Sequence, residues 1–410
     1  MNFILTDRFY YAPSGDGGNL ITVDEAKSIV KNNIGLMPAV TIPLKDAAGF
    51  VLAEDVYSKI DFPPFNQSNV DGYAIAFKDA KELLMVNGES AAGNKENFSL
   101  LPKHAMRIFT GAPVPANADT VVMQEKVTLQ KNELMIEDDA LKQGINFRPK
   151  GKDILNGDIA LHKDELLSAG AVGFLMALGV TAVSVYKKPS ISIIITGDEL
   201  QQPGKALQHG QVYESNSFML KAALRQLHFN ELDVLYANDN LQSVTSILNE
   251  CLDKSDVVLL CGGISVGDYD FVLQAATDCG VRKIFHKIKQ RPGKPLYFGK
   301  KENKVVFGLP GNPSSVLTCF YEYVAEALAI MTRKKSFLKI TQASLANDHT
   351  KIAGLTFFLK GLLENDTVIA LDAQESYRLS SYAKANCLIR LAEERTEYKK
   401  GEIVEVHILP

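Results

Sequence analysis

No two cysteines of this chain stand in a CxxC pair, and their number, five, is odd. Cys251, Cys261, Cys279, Cys319 and Cys387 therefore read as free thiols of a reducing compartment, not as a disulfide framework or a zinc ribbon. The seven histidines are scattered, with no HExxH and no close pair, which leaves a histidine-based zinc site without support. GxxxxGK[ST] and GxGxxG are absent, so neither a P-loop nor a dinucleotide site is expected. An excess of basic residues is missing too. The formal net charge of −4 argues against a nucleic-acid binder, and any basic site must be local. The first residues, MNFILTDRFYYAPSGDGG, lack the apolar core and cleavage site of a signal peptide. The most apolar segment, Ala169 to Tyr186, is interrupted by Gly170, Gly173 and Gly179. It reads as a buried helix followed by a strand, not a membrane span. A cytoplasmic protein with no membrane and no nucleic-acid partner is expected. There is no internal repeat and no low-complexity tract.

What is present fits several domains. The chain has 410 residues, of which 46 % are apolar, enough for more than one core. Thr22 and Glu25 have capping-box spacing ahead of a helical pattern at Val23, Ala26, Ile29, Val30 and Ile34. Asp61-Phe62-Pro63-Pro64-Phe65 cannot be regular structure and reads as a hinge. From Gly72 to Phe147 short strands are expected at Tyr73–Phe77, Met106–Thr110, Thr120–Gln124 and Leu134–Glu137, making a small β-rich domain. A helix at Leu166–Leu178 then rejoins the first unit, so the β-rich domain is an insertion.

Residues 189 to 332 alternate strands and helices. Strands are expected at Ile191–Thr196, Leu232–Tyr236, Val257–Cys261, Val281–Phe285 and Val305–Gly308, with helices at 216–228, 241–253, 271–278 and from Pro313. Fully apolar strands between helices predict a parallel sheet covered on both faces. Residues 337 to 410 return to short strands and read as a C-terminal β unit.

In an open α/β sheet ligands bind at the carboxyl ends of the strands. Those ends carry Thr196-Gly197-Asp198-Glu199, then Asp239, then Gly262-Gly263-Ile264-Ser265-Val266-Gly267-Asp268-Tyr269-Asp270, then Leu309-Pro310-Gly311-Asn312-Pro313-Ser314-Ser315. Gly262 and Gly263 allow backbone N–H groups to approach a phosphate. Asn312 and Pro313 suit a helix start, where Ser314 and Ser315 would meet an anion. Asp198, Glu199, Asp239, Asp268 and Asp270 are carboxylates that share a site with phosphate only through a cation, for which Mg²⁺ is the economical choice. Lys287, Lys289, Arg291 and Lys294 form a basic stretch, and Arg291-Pro292-Gly293-Lys294 sets two cations around a turn suited to an oxyanion. Singly, a Gly-Gly after a strand is more often a plain turn, an Asn-Pro only a cap, a carboxylate or lysine a solvated residue. Their fall on one expected sheet edge is what sets them apart.

Six strings resemble one family. They are PPFNQSNVDGYAI (Pro63–Ile75), RIFTGAPVPANADTVVMQE (Arg107–Glu125), ITGDEL (Ile195–Leu200), CGGISVGDYDF (Cys261–Phe271), RPGKP (Arg291–Pro295) and GLPGNPSS (Gly308–Ser315). With the weaker SSYAKANCLIRL (Ser380–Leu391), they are similar to the molybdopterin molybdotransferases, the MoeA and gephyrin E-domain family, in the family's order. The resemblance implies a multidomain α/β protein. Its parts are a discontinuous linking domain (1–61 and 148–188), an inserted β-rich domain (62–147), a three-layer α/β/α domain of the molybdopterin-binding fold (189–333) and a C-terminal β-barrel-like domain (334–410). It implies molybdate insertion into adenylylated molybdopterin with release of AMP, Mg²⁺ as the metal, and a homodimer whose clefts join the β-rich domain of one subunit to the α/β domain of the other. The molybdopterin adenylyltransferase is an implied partner.

Carried over by motif, Asp71, Thr110, Asp153, Glu199, Asp239 and Asp270 match functional positions, with Glu199, Asp239 and Asp270 as the metal set. Gly262, Gly263, Ser265, Arg291, Lys294, Pro310, Gly311, Asn312 and Ser314 match the substrate-binding set. The chain departs from the pattern at Asn66, Val70 and Arg291, and at Gln374–Arg378, where the family is richer in glycine. That last departure speaks against a binding role for the C-terminal domain. Two rivals stand beside the insertase: the adenylyltransferase, which normally lacks the inserted domain, and a non-catalytic scaffold of the gephyrin type.

Overall fold

The computed structural model describes residues 20–263 and 271–410. The chain forms two compact units: Thr41–Val185, and a second made of the residues up to Val40 together with Tyr186–Pro410.

In the Thr41–Val185 unit a six-stranded sheet runs in the order Thr120–Met123, Gly72–Ile75, His104–Ile108, Leu84–Ser90, Glu133–Ile136, Val127–Gln130. The strands Leu84–Ser90 and Val127–Gln130 stand in addition to the four expected from the sequence. Tyr73, Ile75, Leu84, Ala105, Val122 and Leu134 form its core. The chain leaves for this sheet and returns from it side by side. Gln67–Ser68 pairs antiparallel with Phe147–Arg148, and Val56–Tyr57 with Ile159–Leu161. The sheet is thus an insertion.

The Asp61–Pro64 segment is not a free hinge. Phe62 N–H donates to the Ile154 carbonyl, Gly151 N–H to the Pro63 carbonyl, and Asn156 N–H to the Asp61 carboxylate. Two prolines leave few donors on this segment, and its carbonyls are satisfied by the returning segment 151–154 instead. The apolar helix, Ala169–Ala177, also departs from expectation. Only Leu175 in it is buried, and Met176 is 42 % exposed. Ala171, Val172 and Phe174 are half-buried, and the rest of the helix is exposed among the described residues.

In the second unit a six-stranded sheet has the order Leu232–Ala237, Ile191–Thr196, Val257–Cys261, Lys304–Leu309, Tyr297–Lys301, Arg282–His286. The first four are parallel, and the last two pairings are antiparallel. The expected parallel sheet is present in these four strands and is extended at one side by two antiparallel pairings. The chain between residues 286 and 297 is too short for a helical crossover, so it can only turn back. Alternate residues of Ile191–Thr196 face opposite layers. Ile193 and Ile195 pack with Leu220, Leu224 and Val324, while Ile194 packs with Val244, Leu248, Leu260 and Ala275. Helices cover both faces, giving the three-layer arrangement.

The helix Val23–Asn33 carries the capping box. Glu25 N–H donates to Thr22 Oγ1 and Thr22 N–H to Glu25 Oε2. It buries Val23, Ala26 and Val30 in the core of the α/β layers, so residues 20–40 join this unit and not the other. The C-terminal strands close on themselves. Thr356–Glu364, Thr367–Ala370, Lys339–Leu345, Ile403–Ile408 and Cys387–Leu391 follow in order, and Cys387–Leu391 pairs back to Thr356–Glu364. Closure leaves no edge among them. Among the described residues no helix is long and apolar enough to cross a membrane.

A charged cluster lies between these parts. Glu322 is 1 % exposed and sits in a π-helical turn, Phe320–Val324, inside the long helix that begins at Pro313. It pairs with Lys27 and with His407 Nδ1, whose Nε2 meets Glu405, and Arg390 joins Glu405 to Asp24. Burial pushes the Glu322 carboxyl up, but the Lys27 charge and the His407 hydrogen bond outweigh it and hold it down at about 2. A depressed carboxyl stabilises the fold above its unfolded value, and that contribution is lost as pH falls through the folded one. Glu322→Gln should therefore cost about 3 kcal/mol at pH 7, seen as a lower midpoint in urea unfolding. The gap to wild type should narrow as pH falls below the usual carboxyl range toward 2.

Candidate functional site

In the α/β unit the register aligns the strand ends. Ile194 stands beside Leu235 and Leu260, Leu260 beside Gly308, Gly308 beside Tyr297, and Tyr297 beside His286. The loops after residues 196, 237, 261, 286 and 309 therefore leave from one edge. This places Glu199, Asp239, Gly262, Gly263, the 287–296 loop and the Pro310–Ser314 turn on that edge. Ser265 and Asp270, with Asp268, lie outside the described residues. Gly263 also opens a GxSxG string, Gly263 to Gly267, whose remaining residues lie outside them as well.

Several of the expected residues are brought close. Thr196 Oγ1 donates to Asp239 Oδ1 at 3.1 Å, and Asp239 N–H donates to Asp198 Oδ1 at 3.2 Å. Gly262 has φ +98°, and a Cβ there would lie 2.4 Å from the Thr196 carbonyl oxygen, so only glycine lets the two loops meet. The same construction at Gly263 lies 3.9 Å from Asp239 Oδ1, and at Gly311 3.9 Å from Gly262 Cα. Glu199 is exposed and folds its carboxylate toward Gly197. Asn216 Nδ2 donates to the Gly311 carbonyl at 2.9 Å, while its buried Oδ1 has no partner among the described residues. The sequence reading passed over Asn216, which follows a short strand and gives no signal beyond a helix start.

The Pro-Gly-Asn-Pro turn differs from expectation in two respects. Asn312 sits at the N-cap position without capping, and its Nδ2 donates instead to Ser376 Oγ at 2.9 Å. Ser314 is buried, and its N–H donates to the Ser376 carbonyl at 3.1 Å, so this donor is not free for an anion. The reason is tertiary: the 374–378 loop of the barrel supplies the partners. The departure at Gln374–Arg378 does not remove the C-terminal domain from this edge.

Lys360 joins the two. It is 1 % exposed, and its Nζ donates to Ser314 Oγ at 3.2 Å and to the carbonyls of Ala373, Glu375 and Arg378. Burial pushes its ammonium down to about 8, against the opposing pull of Glu375. A lone lysine inside the apolar run Thr356–Leu363 was the available signal, since an ammonium is not buried without acceptors.

Arg291 is exposed, with its guanidinium 5.4 Å over the Phe357 ring. The strand Gln290–Arg291 pairs with Thr356–Phe357, so the basic turn is fastened to the barrel. Lys294 is half-buried on the same turn.

In the Thr41–Val185 unit, Thr110 donates to Asp71 Oδ1 from both its N–H and its Oγ1, each at 2.8 Å. The Thr110 backbone and side-chain donors, with Arg107 nearby, hold the Asp71 carboxyl below the usual range. Arg107 donates to the Gly72 carbonyl and to Gln124 Oε1 and lies over Tyr73 and Phe109. Asp153 is exposed and has no hydrogen bond to this pair. A cavity of about 500 Å³ opens between Pro64–Asn66, Phe98 and Pro113–Pro115.

Family models match along the chain: the MoeA N-terminal region (domain I and II) over residues 21–179, a probable molybdopterin binding domain over 192–330, and the MoeA C-terminal region (domain IV) over 342–409. A molybdopterin molybdenumtransferase of Haemophilus influenzae is 34 % identical over 398 residues, covering 94 % of this chain and 98 % of that one. One of Staphylococcus epidermidis is 32 % identical over 402 residues, covering 94 % and 95 %. A crystal structure of the molybdopterin biosynthesis MoeA protein of Pyrococcus horikoshii superposes with a TM-score of 0.82 at 30 % identity, covering 96 % of this chain and all of that one. With its strand-edge loops, its inserted sheet and its closing barrel, the chain belongs to the MoeA family of molybdopterin molybdotransferases.

Proposed function

We propose that this protein transfers molybdenum from molybdate to adenylylated molybdopterin and releases AMP. The observation that carries the reading is the single sheet edge on which the Asp239 and Glu199 carboxylates, the Gly262-Gly263 loop and the Arg291–Lys294 turn all emerge. The adenylyltransferase alternative is disfavoured by the matched N- and C-terminal MoeA regions. A purely scaffolding role leaves the buried, unpartnered Asn216 acceptor without a use.

Among the described residues no three His, Cys, Asp or Glu side chains form a metal cage. Mg²⁺ asks for less, because it is commonly held by one or two carboxylates with substrate phosphates and water completing the shell. Glu199 and Asp239 suit that role, with Asp270 as the third member. Bound there, Mg²⁺ would supply Lewis-acid stabilisation of charge on the phosphate. Thr196 orients the Asp239 carboxylate through its hydroxyl. Gly262 and Gly263, both at positive φ, set the loop backbone close to Thr196 and Asp239 on the edge where a phosphate would meet its N–H groups. Asn216 Oδ1 accepts a ligand N–H or O–H, which would otherwise strand it. Arg291 and Lys294 bind the molybdate oxyanion, the guanidinium fork suiting two oxygens at once. Asp71, held by Thr110, is the catalytic carboxylate contributed by the other unit.

We assign the protein to the cytoplasm, which its five buried, unpaired cysteines suit. We also infer a homodimer. A helix that is apolar all round is normally buried, and Ala169–Ala177 is not. A second copy is the occupant that supplies the missing apolar cover. The molybdopterin adenylyltransferase is the enzyme whose product this one consumes.

Glu199→Ala and Asp239→Ala should each reduce Mg²⁺-dependent AMP release at least about 100-fold with the melting temperature unchanged. Full activity in both removes them from the metal set. Arg291→Ala should raise the half-saturating molybdate concentration about tenfold, the loss of one charge-assisted contact, while Arg291→Lys, which keeps the charge but not the fork, recovers only part of the affinity. A change in thermal stability alone would make Arg291 a structural cation. For assembly, light scattering should give a dimeric mass for the wild type and a monomeric mass for Met176→Glu. A monomeric wild type ends the dimer reading.

A further inference from the structure

Arg291 points to solvent, while its neighbour Gln290 is 1 % exposed and turned into the core. The Gln290 amide is used at both ends. Its Oε1 accepts from Tyr323 Oη at 2.6 Å, and its Nε2 donates to the Pro292 carbonyl at 2.8 Å. The same Nε2 lies 3.8 Å from Cys319 Sγ, and Cys319 Sγ donates to the Gly293 carbonyl at 3.6 Å. Two successive carbonyls of the basic turn are therefore held by side chains fixed to one helix. Tyr323 and Cys319 are fully buried, and burial pushes the Cys319 thiol up, so it stays an S–H donor. The contact is close enough to exclude any other residue at 293. Gly293 has φ +94°, and a Cβ there would lie 2.5 Å from Cys319 Sγ and 2.9 Å from Gln290 Nε2.

None of these three side chains reaches the solvent edge, so none can touch an oxyanion. Their effect must pass through the turn. We propose that Gln290, Tyr323 and Cys319 are positioning residues that hold the Arg291–Lys294 turn in the geometry that admits molybdate, with the Tyr323–Gln290 hydrogen bond as the brace. The proposal rests on the reading of Arg291 and Lys294 as oxyanion ligands. A guanidinium fork loses its two-point contact when its backbone shifts by a fraction of an ångström. Without the Tyr323 hydroxyl, Gln290 Oε1 is a buried acceptor with no donor, and the amide is free to reorient away from Pro292.

A bracing role and a merely structural one part company in a double variant. Tyr323→Phe alone strands a buried polar atom and should lower the melting temperature. Tyr323→Phe with Gln290→Met replaces both partners by apolar groups of similar shape, which should return stability toward wild type. The Pro292 carbonyl, however, still lacks its donor. The expected result is a double variant that melts above Tyr323→Phe alone and has a half-saturating molybdate concentration raised about fivefold, the scale of one hydrogen bond. Its AMP release at saturating molybdate should stay within about twofold of wild type, because the turn is displaced and its charges are kept. Cys319→Ala, a small change that removes the Gly293 donor and the weak contact with Gln290 Nε2, should raise the same concentration in the same sense. If the molybdate dependence returns to wild type with stability in the double variant, or is unchanged in it and in Cys319→Ala, the positioning role is overturned. Arg291→Ala is assayed alongside. If it too leaves molybdate dependence unchanged, the oxyanion reading fails. If it alone shifts that dependence, only the brace fails.

Discussion

Parallel pairing of Ile191–Thr196 with both its neighbours governs the position of almost everything chemical in the larger unit. A parallel strand must be reached by a crossover, so each strand ends at the same edge and hands the chain to a loop there. Thr196, Asp239 and Gly262 come from segments up to 66 residues apart in sequence yet lie within hydrogen-bonding or van der Waals distance. The contact between Gly262 and the Thr196 carbonyl shows how tightly adjacent loops are set. The antiparallel turn-back between residues 286 and 297 adds the basic loop to the same edge, an outcome that a fifth parallel strand with a helical crossover would not give.

The long helix from Pro313 carries a second consequence of this arrangement. Its start presents the Pro310–Ser314 turn, and its middle bears Thr318, Cys319, Glu322 and Tyr323, all buried. Each has a polar partner outside the helix. Thr318 meets Tyr382, Cys319 meets Gly293, Glu322 meets Lys27 and His407, and Tyr323 meets Gln290. Four polar groups on one buried helix are affordable only because the barrel, the basic turn and the helix Val23–Asn33 all come to it. The barrel therefore does more than end the chain. Through Lys360 and Ser376 it occupies donors and acceptors that would otherwise face the ligand edge.

Much of this was legible in the residues. The fully apolar runs Ile191–Thr196 and Val257–Cys261 became fully buried strands. Thr22 and Glu25 formed their capping box. Asp71 and Thr110, matched only through motif resemblance, form a two-point hydrogen bond although 39 residues apart. Other features were hidden for identifiable reasons. Leu84–Ser90 alternates poorly because its middle is exposed. Lys360 is a charged residue in an apolar strand, and its acceptors come from carbonyls 13 to 18 residues further on, which no periodicity reveals. Ser314 stands at a helix start that ordinarily favours anions, but the Ser376 carbonyl takes its donor.

Sequence alone determined the elements whose energetics are local or periodic: apolar strands, helix caps, glycine-rich loops, and through them the ordered motifs that mark the family. It determined that the loops after the parallel strands share an edge, because parallel order dictates strand polarity. Only the tertiary structure decided which polar groups on that edge remain available. That depends on partners brought from distant segments, as Ser376 is to Asn312 and Tyr323 to Gln290. A buried hydrogen bond is strong when its geometry is met and costly when it is not, and that geometry exists only once the chain has packed.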